Sequence, residues 1–567
     1  MKSSLILSFS LPIALQFVSG ASALPPNYVP SAQAKNGTVY GIYSLEYNQD
    51  YFLGIPYAQP PVDDLRFRPP QSLNTQKTVN AKAYGKWCYG PGGDSVGQDM
   101  SEDCLTLNII RPANIKPNAK LPVAVWIHGG GFSGGSGADR RYNLTYLVEQ
   151  SVAMGTPIIG VSINYRLSIW GWLGGREVIG SGNSNLGFRD QRLALRWIQE
   201  NIKAFGGDKS KVTLFGESAG AISIAWHQIA YGGRNDRLFS GAIMQSGSAM
   251  YEPQWWPETY QPKFDSLVNA TGCLEAVDRL QCLRTADIND LWQFAQENSG
   301  TTDATIDGDI LTEYSSKLLQ DGKFVKVPTI IGANTDEGTA FGPFGDTAAN
   351  NESELKNRIQ ALLNGRLTDN MLDELMTVYD SSASIPAPEN YTGTDIPWSF
   401  LGTEFFRGAA IVGDLEMHAP KRYTAEQFTA HNSAIWTYRF NCIPYQYPLY
   451  VAVTHFAEVA FVFYSRNQDF GDGFSSVNPM GGPDRQLYIG LSDIMSKAWI
   501  KFFKYGNPNG NTGATSGGSL YWPSYGEGPG AQQIVFDKGP GNTFIEKDDY
   551  RAAGISWINQ HRLIIGR

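Results

Sequence analysis

The sequence predicts an α/β protein: one large, mostly parallel central sheet with helices on both faces and long helical insertions. Three apolar runs carry that reading, Leu121 to Ile127, Pro157 to Ile163 and Val212 to Phe215, each closed by glycine, histidine or polar residues. Uninterrupted runs of this kind are what strands buried on both faces require. Between the second and third, Asn185 to Phe205 sets Leu195, Ile198 and Ile202 at helical spacing beside Trp197, and Gly206-Gly207 ends the pattern. Strand, helix and strand in that order imply a right-handed parallel crossover.

Strand signals return at Gly241 to Met244, Val327 to Ile331 and Ala434 to Tyr438. The stretches 250–320 and 345–430 read as helical, loop-rich insertions that shape a pocket, with Pro386, Pro388 and Pro397 marking irregular backbone. Hydrophobic residues at 42% and charged residues at 17% describe a globular chain and exclude disorder. One heavily elaborated domain over 24–567 is the reading for its 567 residues.

Ahead of that domain, Met1-Lys2, an apolar stretch from Leu5 to Val18 and then Ala21-Ser22-Ala23 have the form of a signal peptide, residues 1–23. Ser8, Ser10, Pro12 and Gln16 interrupt the stretch, which is short for a membrane span, so a secreted chain with no stable membrane anchor is expected. Sequons at Asn36, Asn143, Asn269, Asn351 and Asn390 are candidate glycosylation sites. Five cysteines in a secreted chain suggest two disulfides and one thiol. Nearest-neighbour spacing favours Cys88 with Cys104 and Cys273 with Cys282, leaving Cys442, while the sequence alone permits other pairings. The formal charge of −9 and the lack of any lysine or arginine run argue against nucleic acid and for a small-molecule substrate.

The chemistry centres on Gly216-Glu217-Ser218-Ala219-Gly220. Gly-x-Ser-x-Gly suits a tight strand-to-helix turn that aims a serine oxygen into a cleft, the glycines avoiding backbone clashes. Lys211 to Phe215 supplies the strand and Ala219 to Ala230 the helix, whose positive N-terminal end favours negative charge beside Ser218. Acyl transfer also needs N–H groups aimed at a developing oxyanion. His128-Gly129-Gly130-Gly131-Phe132 follows a strand in a form suited to that role, so Gly130, Gly131 and Ala219 are the expected donors. The phosphate-loop pattern is absent.

A serine nucleophile needs a histidine, and the histidine a carboxylate, in the chain order serine, acid, histidine for this motif. Of the histidines after Ser218, His227 lies nine residues along the next helix, about 13 Å away, and reads as structural. His418 and His431 sit in helical or polar surroundings, and His561 lies further on. His455 follows the strand-like Val451-Ala452-Val453-Thr454 and so occupies a strand-to-loop change. Asp336 and Glu337 follow the run Val327 to Ile331, among 54 acidic residues in all.

The segments Phe205-Gly206-Gly207-Asp208 through Gly220 and Glu102-Asp103-Cys104-Leu105-Thr106-Leu107-Asn108-Ile109 resemble the two signatures of the type-B carboxylesterases, with Asn164-Tyr165-Arg166 and Gln245-Ser246-Gly247 in agreement. That family includes the cholinesterases and the secreted fungal esterases and lipases. The resemblance covers most of the chain and implies the α/β-hydrolase fold, the acid Glu337, the histidine His455, oxyanion donors at Gly130, Gly131 and Ala219, and the disulfides Cys88–Cys104 and Cys273–Cys282. It implies no metal and no cofactor. Ser246 looks like a serine supporting the acid or packing beside it.

Two departures bear on substrate. The fifteen residues between Cys88 and Cys104 are fewer than in the flap of the fungal lipases, which implies a weaker lid. They include no tryptophan, the residue on which cholinesterases bind the choline cation, so choline esters are not expected. Trp87, just outside, is expected to pack against the core. The resulting expectation is a secreted carboxylic ester hydrolase acting on a small-molecule or lipid ester. The alternatives are an interfacially activated triacylglycerol lipase or a non-catalytic binding protein on the same scaffold.

Overall fold

The computed structural model describes residues 27–75, 77–251, 256–298, 304–380, 397–466, 478–511, 520–528 and 530–567. The expected signal segment 1–23, the sequon at Asn390, and Pro386 and Pro388 lie outside the described residues.

Eleven strands form the central sheet. In chain order they are β1 (Ile42–Ser44), β2 (Gln49–Pro56), β3 (Thr106–Pro112), β4 (Leu121–Ile127), β5 (Ile159–Ile163), β6 (Gly207–Glu217), β7 (Gly241–Gln245), β8 (Thr329–Asn334), β9 (Ile435–Phe440), β10 (Gln532–Phe536) and β11 (Phe544–Lys547). Their spatial order is β11-β10-β9-β8-β7-β6-β4-β5-β3-β2-β1. Strands β4 to β10 run parallel, while β1 to β3 and β11 are antiparallel edges.

The six apolar runs of the sequence are β4 to β9, the middle of the sheet. Side chains alternate between the two faces, as the strand period demands. Val123, Val125 and Ile127 join Val212 and Leu214 in one buried cluster, which also takes residues of helices α1 (Leu186–Asn201) and α2 (Ala219–Gly233). Ala124 and Trp126 join Phe215, Ile243 and Ile330 in the opposite cluster, beneath α3 (Arg485–Tyr505). Helix α1 gives way to a tight turn at Ile202–Phe205, and the regular part of α2 ends where Ala230 to Gly232 leave helical geometry. Strand β2 escaped the pattern because it is irregular. Its register against β3 shifts between Phe52 and Ile55, where Gly54 has φ +70° and donates to Asn108 Oδ1 at 2.8 Å.

The stretches read as insertions are largely helical and contribute to two further apolar clusters. One gathers Leu355, Ile359, Leu375, Ile411 and Leu415, and the other Tyr260, Phe264, Leu283 and Leu291. Disulfides join Cys88 to Cys104 and Cys273 to Cys282, and Cys442 is a buried free thiol. Asn269 is exposed. The Asn36 carboxamide donates to Leu73 O at 3.3 Å, and Asn143 and Asn351 cap helices by accepting from Thr145 N and Glu354 N.

From β4 the chain moves outward to β5 and then crosses back to β6 on the other side of β4. Loops leaving the carboxyl ends of β4 and β6 therefore diverge, which opens the crevice where parallel α/β sheets bind ligands. Two glycines close this point. A Cβ on Gly220 would lie 2.0 Å from Ile127 O, and one on Gly216 2.6 Å from the same atom. Gly220→Ala is expected to cost about 3 kcal/mol, seen as a lower urea midpoint. Gly180→Ala, whose Cβ meets nothing within 4 Å, is the control and should stay within about 0.5 kcal/mol.

Candidate active site

Ser218 occupies the turn from β6 to α2 with φ 56° and ψ −127°, a conformation that costs a side-chain-bearing residue about 1–3 kcal/mol. Surrounding backbone holds it there. Its N–H donates to Gln245 O at 2.9 Å, and Gly247 approaches so closely that a Cβ would sit 2.8 Å from Ser218 O. Ala219 begins α2, so its N–H has no intrahelical acceptor and points from the positive end of the helix.

The glycine loop after β4 runs against this serine. A Cβ on Gly129 would lie 3.0 Å from Ser218 Cβ, and Gly130 and Gly131 take φ +96° and +58°. The N–H groups of Gly130 and Gly131 donate to no group among the described residues. His128 is not part of the chemistry: its Nδ1 lies 2.9 Å from Gly129 O, its ring stacks on Tyr165, and burial pushes it down to about 4.

Glu337 and His455 meet, with Nδ1 of the imidazole 2.6 Å from Oε2 of the carboxylate. The other oxygen of Glu337 accepts from Ser246 Oγ at 2.5 Å and from Asn334 N–H at 2.6 Å. Ser246 thus supports the acid directly. Val451 to Thr454 is a correction, an irregular loop and not a strand. Ala452 has φ 52°, and the loop bonds to the turn after β8 in place of a neighbouring strand. Asp336 N–H donates to Val453 O at 3.0 Å while Val453 N–H donates to Asp336 Oδ2 at 3.1 Å. Thr339 Oγ1 donates to Val451 O at 2.7 Å, and Asn334 Nδ2 to Thr454 O at 2.8 Å. The acid's turn and the histidine's loop are thereby stitched into one unit.

Nε2 of His455 faces Glu217 Oε1 at 3.0 Å, without the alignment of a hydrogen bond. Burial pushes Glu217 well up, against the pull of His455, and so favours its acid form. For His455, burial alone would lower the pKa; the charges of Glu217 and Glu337, with the Glu337 hydrogen bond, override it and raise the imidazole to about 9. With Glu217 in its acid form the first of those charges is lost, and Glu337 remains as the partner that holds the shift upward. Glu458, also fully buried and raised by burial, accepts from Asn334 Nδ2 at 2.7 Å and Gln245 Nε2 at 3.1 Å. Phe341 stands edge-on to the imidazole, ring centroids 4.7 Å apart.

The other histidines serve the frame. His227 is buried with Nε2 3.1 Å from Gln191 Oε1, as its helical position implied, and His431 Nε2 lies 3.0 Å from Gln320 O. Trp87 is buried. Glu217, Asn334 and Glu458 are the residues sequence reasoning missed. A charged residue ending an apolar strand was the available sign for Glu217, because such residues are rarely buried without a partner. Among the described residues no group of three or more His, Cys, Asp or Glu is placed to hold a metal ion, and no helix is long and apolar enough to cross a membrane.

The model of the carboxylesterase family matches residues 29–547. Lipase 2 of Geotrichum candidum is 32% identical, over 92% of this chain and 93% of its own. A secreted triacylglycerol lipase of Gibberella zeae is 34% identical, over 71% of this chain and 73% of its own. Among solved structures, EstA of Aspergillus niger superposes with a TM-score of 0.81 at 28% identity, covering 95% of this chain and all of its own. With a serine at the strand-to-helix turn and a matching sheet, the chain belongs to the carboxylesterase family and is a serine carboxylic ester hydrolase of the α/β-hydrolase fold.

Proposed function

We propose that hydrolysis runs as two acyl transfers through Ser218, with His455 as base and Glu337 as the acid that orients it. The observation that carries this is the buried 2.6 Å contact of Glu337 with His455 Nδ1, which leaves Nε2 as the nitrogen free to take a proton. His455 Nε2 removes the Ser218 proton as Oγ attacks the ester carbonyl. The oxyanion rests on the N–H groups of Gly130, Gly131 and Ala219, each such donor being worth about 2.7–4 kcal/mol in the transition state. His455 returns its proton to the departing alcohol. Water, deprotonated by the same nitrogen, then releases the acid and restores Ser218.

Dissolved carboxylic esters are the substrates this reading favours. The loop closed by Cys88 and Cys104 lies on the glycine loop, Gly92 N–H donating to Ser133 O at 2.9 Å and Gly135 N–H to Ser95 Oγ at 3.2 Å. A loop bonded in this way has no need of a lipid surface to move it. The names of the Geotrichum and Gibberella relatives keep triacylglycerol hydrolysis as the second reading. Secretion, with loss of residues 1–23, is supported by the form of that segment, by two disulfides and by the name of the Gibberella relative.

On a soluble ester, Ser218→Ala is expected to lower kcat by about 10⁴-fold or more, and retained activity would remove the nucleophile assignment. Glu337→Gln should cost about 10³- to 10⁴-fold in kcat with KM little changed. Because the base must be unprotonated and its pKa is raised, kcat/KM should climb with pH through a midpoint above the 6.5 of ordinary imidazole. Glu217→Gln should leave that midpoint in place, since burial keeps Glu217 in its acid form, and a fall in the midpoint would show that Glu217 carries charge in the free enzyme. Rates measured across the solubility limit of a triglyceride should show no jump; a jump would favour the lipase reading.

A further inference from the structure

One buried cation near Ser218 is left over by this chemistry. Arg141 follows the glycine loop in the turn Arg140–Tyr142 and is 7% exposed. Its backbone N–H and Nε both donate to Asp139, at 2.8 and 2.9 Å, and its Nη2 is shared between Asp139 Oδ2 at 2.6 Å and Asp94 Oδ1 at 2.5 Å. The guanidinium also lies 4.9 Å from the ring centre of Phe456, the residue directly after His455. Phe456 has φ 72° and packs edge-on to Tyr142, with centroids 6.0 Å apart. One side chain thus touches the disulfide loop, the segment following the glycine loop, and the neighbour of the histidine.

Asp94 shows why such a cation is needed. It sits in the Cys88–Cys104 loop with its Oδ2 only 3.2 Å from where a Cβ on Gly130 would begin. Gly130 is one of the proposed oxyanion donors. A carboxylate there opposes any negative charge forming at Ser218, and it is held in place because its loop is wedged against the glycine loop. A Cβ on Gly90 would meet Ser133 O at 2.3 Å, and one on Gly92 would meet Gly134 N at 2.9 Å. Asp94 also adds its charge to the field at Glu217, the residue before the serine.

We propose that Arg141 is a positioning residue for ester hydrolysis. It pins Asp94 and the disulfide loop onto the glycine loop and cancels, beside Gly130, a carboxylate charge that would oppose the oxyanion. The proposal rests on the Ser218 reading above. It separates two contributions that a purely structural arginine would not separate: a steric pin, lost whenever the fork is lost, and a charge effect, which vanishes when Asp94 is neutral.

The test uses the full-length enzyme, a soluble ester, and Arg141→Met, Asp94→Asn and the double variant, with active sites counted by a serine-directed fluorophosphonate. Arg141→Met is expected to lower kcat by about thirtyfold with KM within about threefold, since the lost interaction acts on the transition state. Asp94→Asn alone should change kcat by less than about threefold, and the double variant should regain about tenfold over Arg141→Met. A kcat for Arg141→Met within about threefold of the parent, or a double variant no faster than Arg141→Met, overturns the proposal. Should Arg141→Met fail to fold, Arg141→Lys keeps the charge and gives up the fork, and an unchanged kcat there overturns the pin. Failure of the Ser218 reading would show separately, as activity in Ser218→Ala and no label on Ser218.

Discussion

A single carbonyl organises the centre of this enzyme. Ile127 O, at the carboxyl end of β4, lies where side chains on Gly216 and Gly220 would begin, so the end of β6, paired in register with β4, and the first turn of α2 lie at backbone contact with it. That contact forces the turn between the two glycines to be tight, and that tightness puts Ser218 at φ 56°. It also brings the residues that follow Ile127, the glycine loop, against Ser218. The positive φ at Ser218 and the start of α2 directly after it go with this close approach, and beside them the N–H groups of Gly130 and Gly131 donate to no group among the described residues. None of them needs a side chain to hold it, which suits a site that must keep its geometry as charge develops.

The acid side is built on the opposite principle. Glu337 is wholly buried, and burial of a carboxylate is costly unless its oxygens are bonded. Ser246 Oγ, Asn334 N–H and His455 Nδ1 supply those bonds within 2.6 Å. The same asparagine reaches Glu458, which Gln245 also bonds, and Trp499 of α3 donates to Gln245 Oε1 at 3.0 Å. Through this chain the helix on one face of the sheet fixes the end of β7, the turn after β8 and the loop of the histidine together. Each member satisfies another, so loss of one strands buried polar atoms in the rest.

How much of this was legible follows from which forces are local. Strands β4 to β9 announced themselves because burial on both faces leaves no polar position, and the glycine loop and Ser218 because glycine is demanded where backbones touch. Glu337 and His455 were ambiguous by spacing and needed the family resemblance, since 118 residues separate them and nothing local links the two. The histidine's loop misled for a physical reason. Val451 to Val453 are apolar as a buried strand would be, but Val453 exchanges bonds with Asp336, Val451 O accepts from Thr339, and the N–H groups of Val451 and Ala452 turn back to Pro448 O and Leu449 O, so no ladder forms. Asn334, Asp336 and Glu458 act through contacts between distant segments, and the pairing that makes their burial tolerable exists only after folding.

The division of cores says where substrate choice resides. The serine, the glycine loop and the acid all sit at carboxyl ends of central strands, backed by the two large clusters on either face of the sheet. The insertions add two further clusters, Leu355 to Leu415 in one and Tyr260 to Leu291 in the other, but Leu186 of α1 belongs to the second, and Ile310, Leu311, Leu318 and Leu319 pack into the main cluster of the sheet. Packing changes in the first of these, which holds no residue of the sheet, are the least directly coupled to the reaction centre, because interiors transmit strain chiefly through continuous contact. The Cys88–Cys104 loop is the exception, being joined through its glycines and Asp94 to the glycine loop itself. On the proposed mechanism, a change there would reach the reaction centre through backbone contact and not through the insertions.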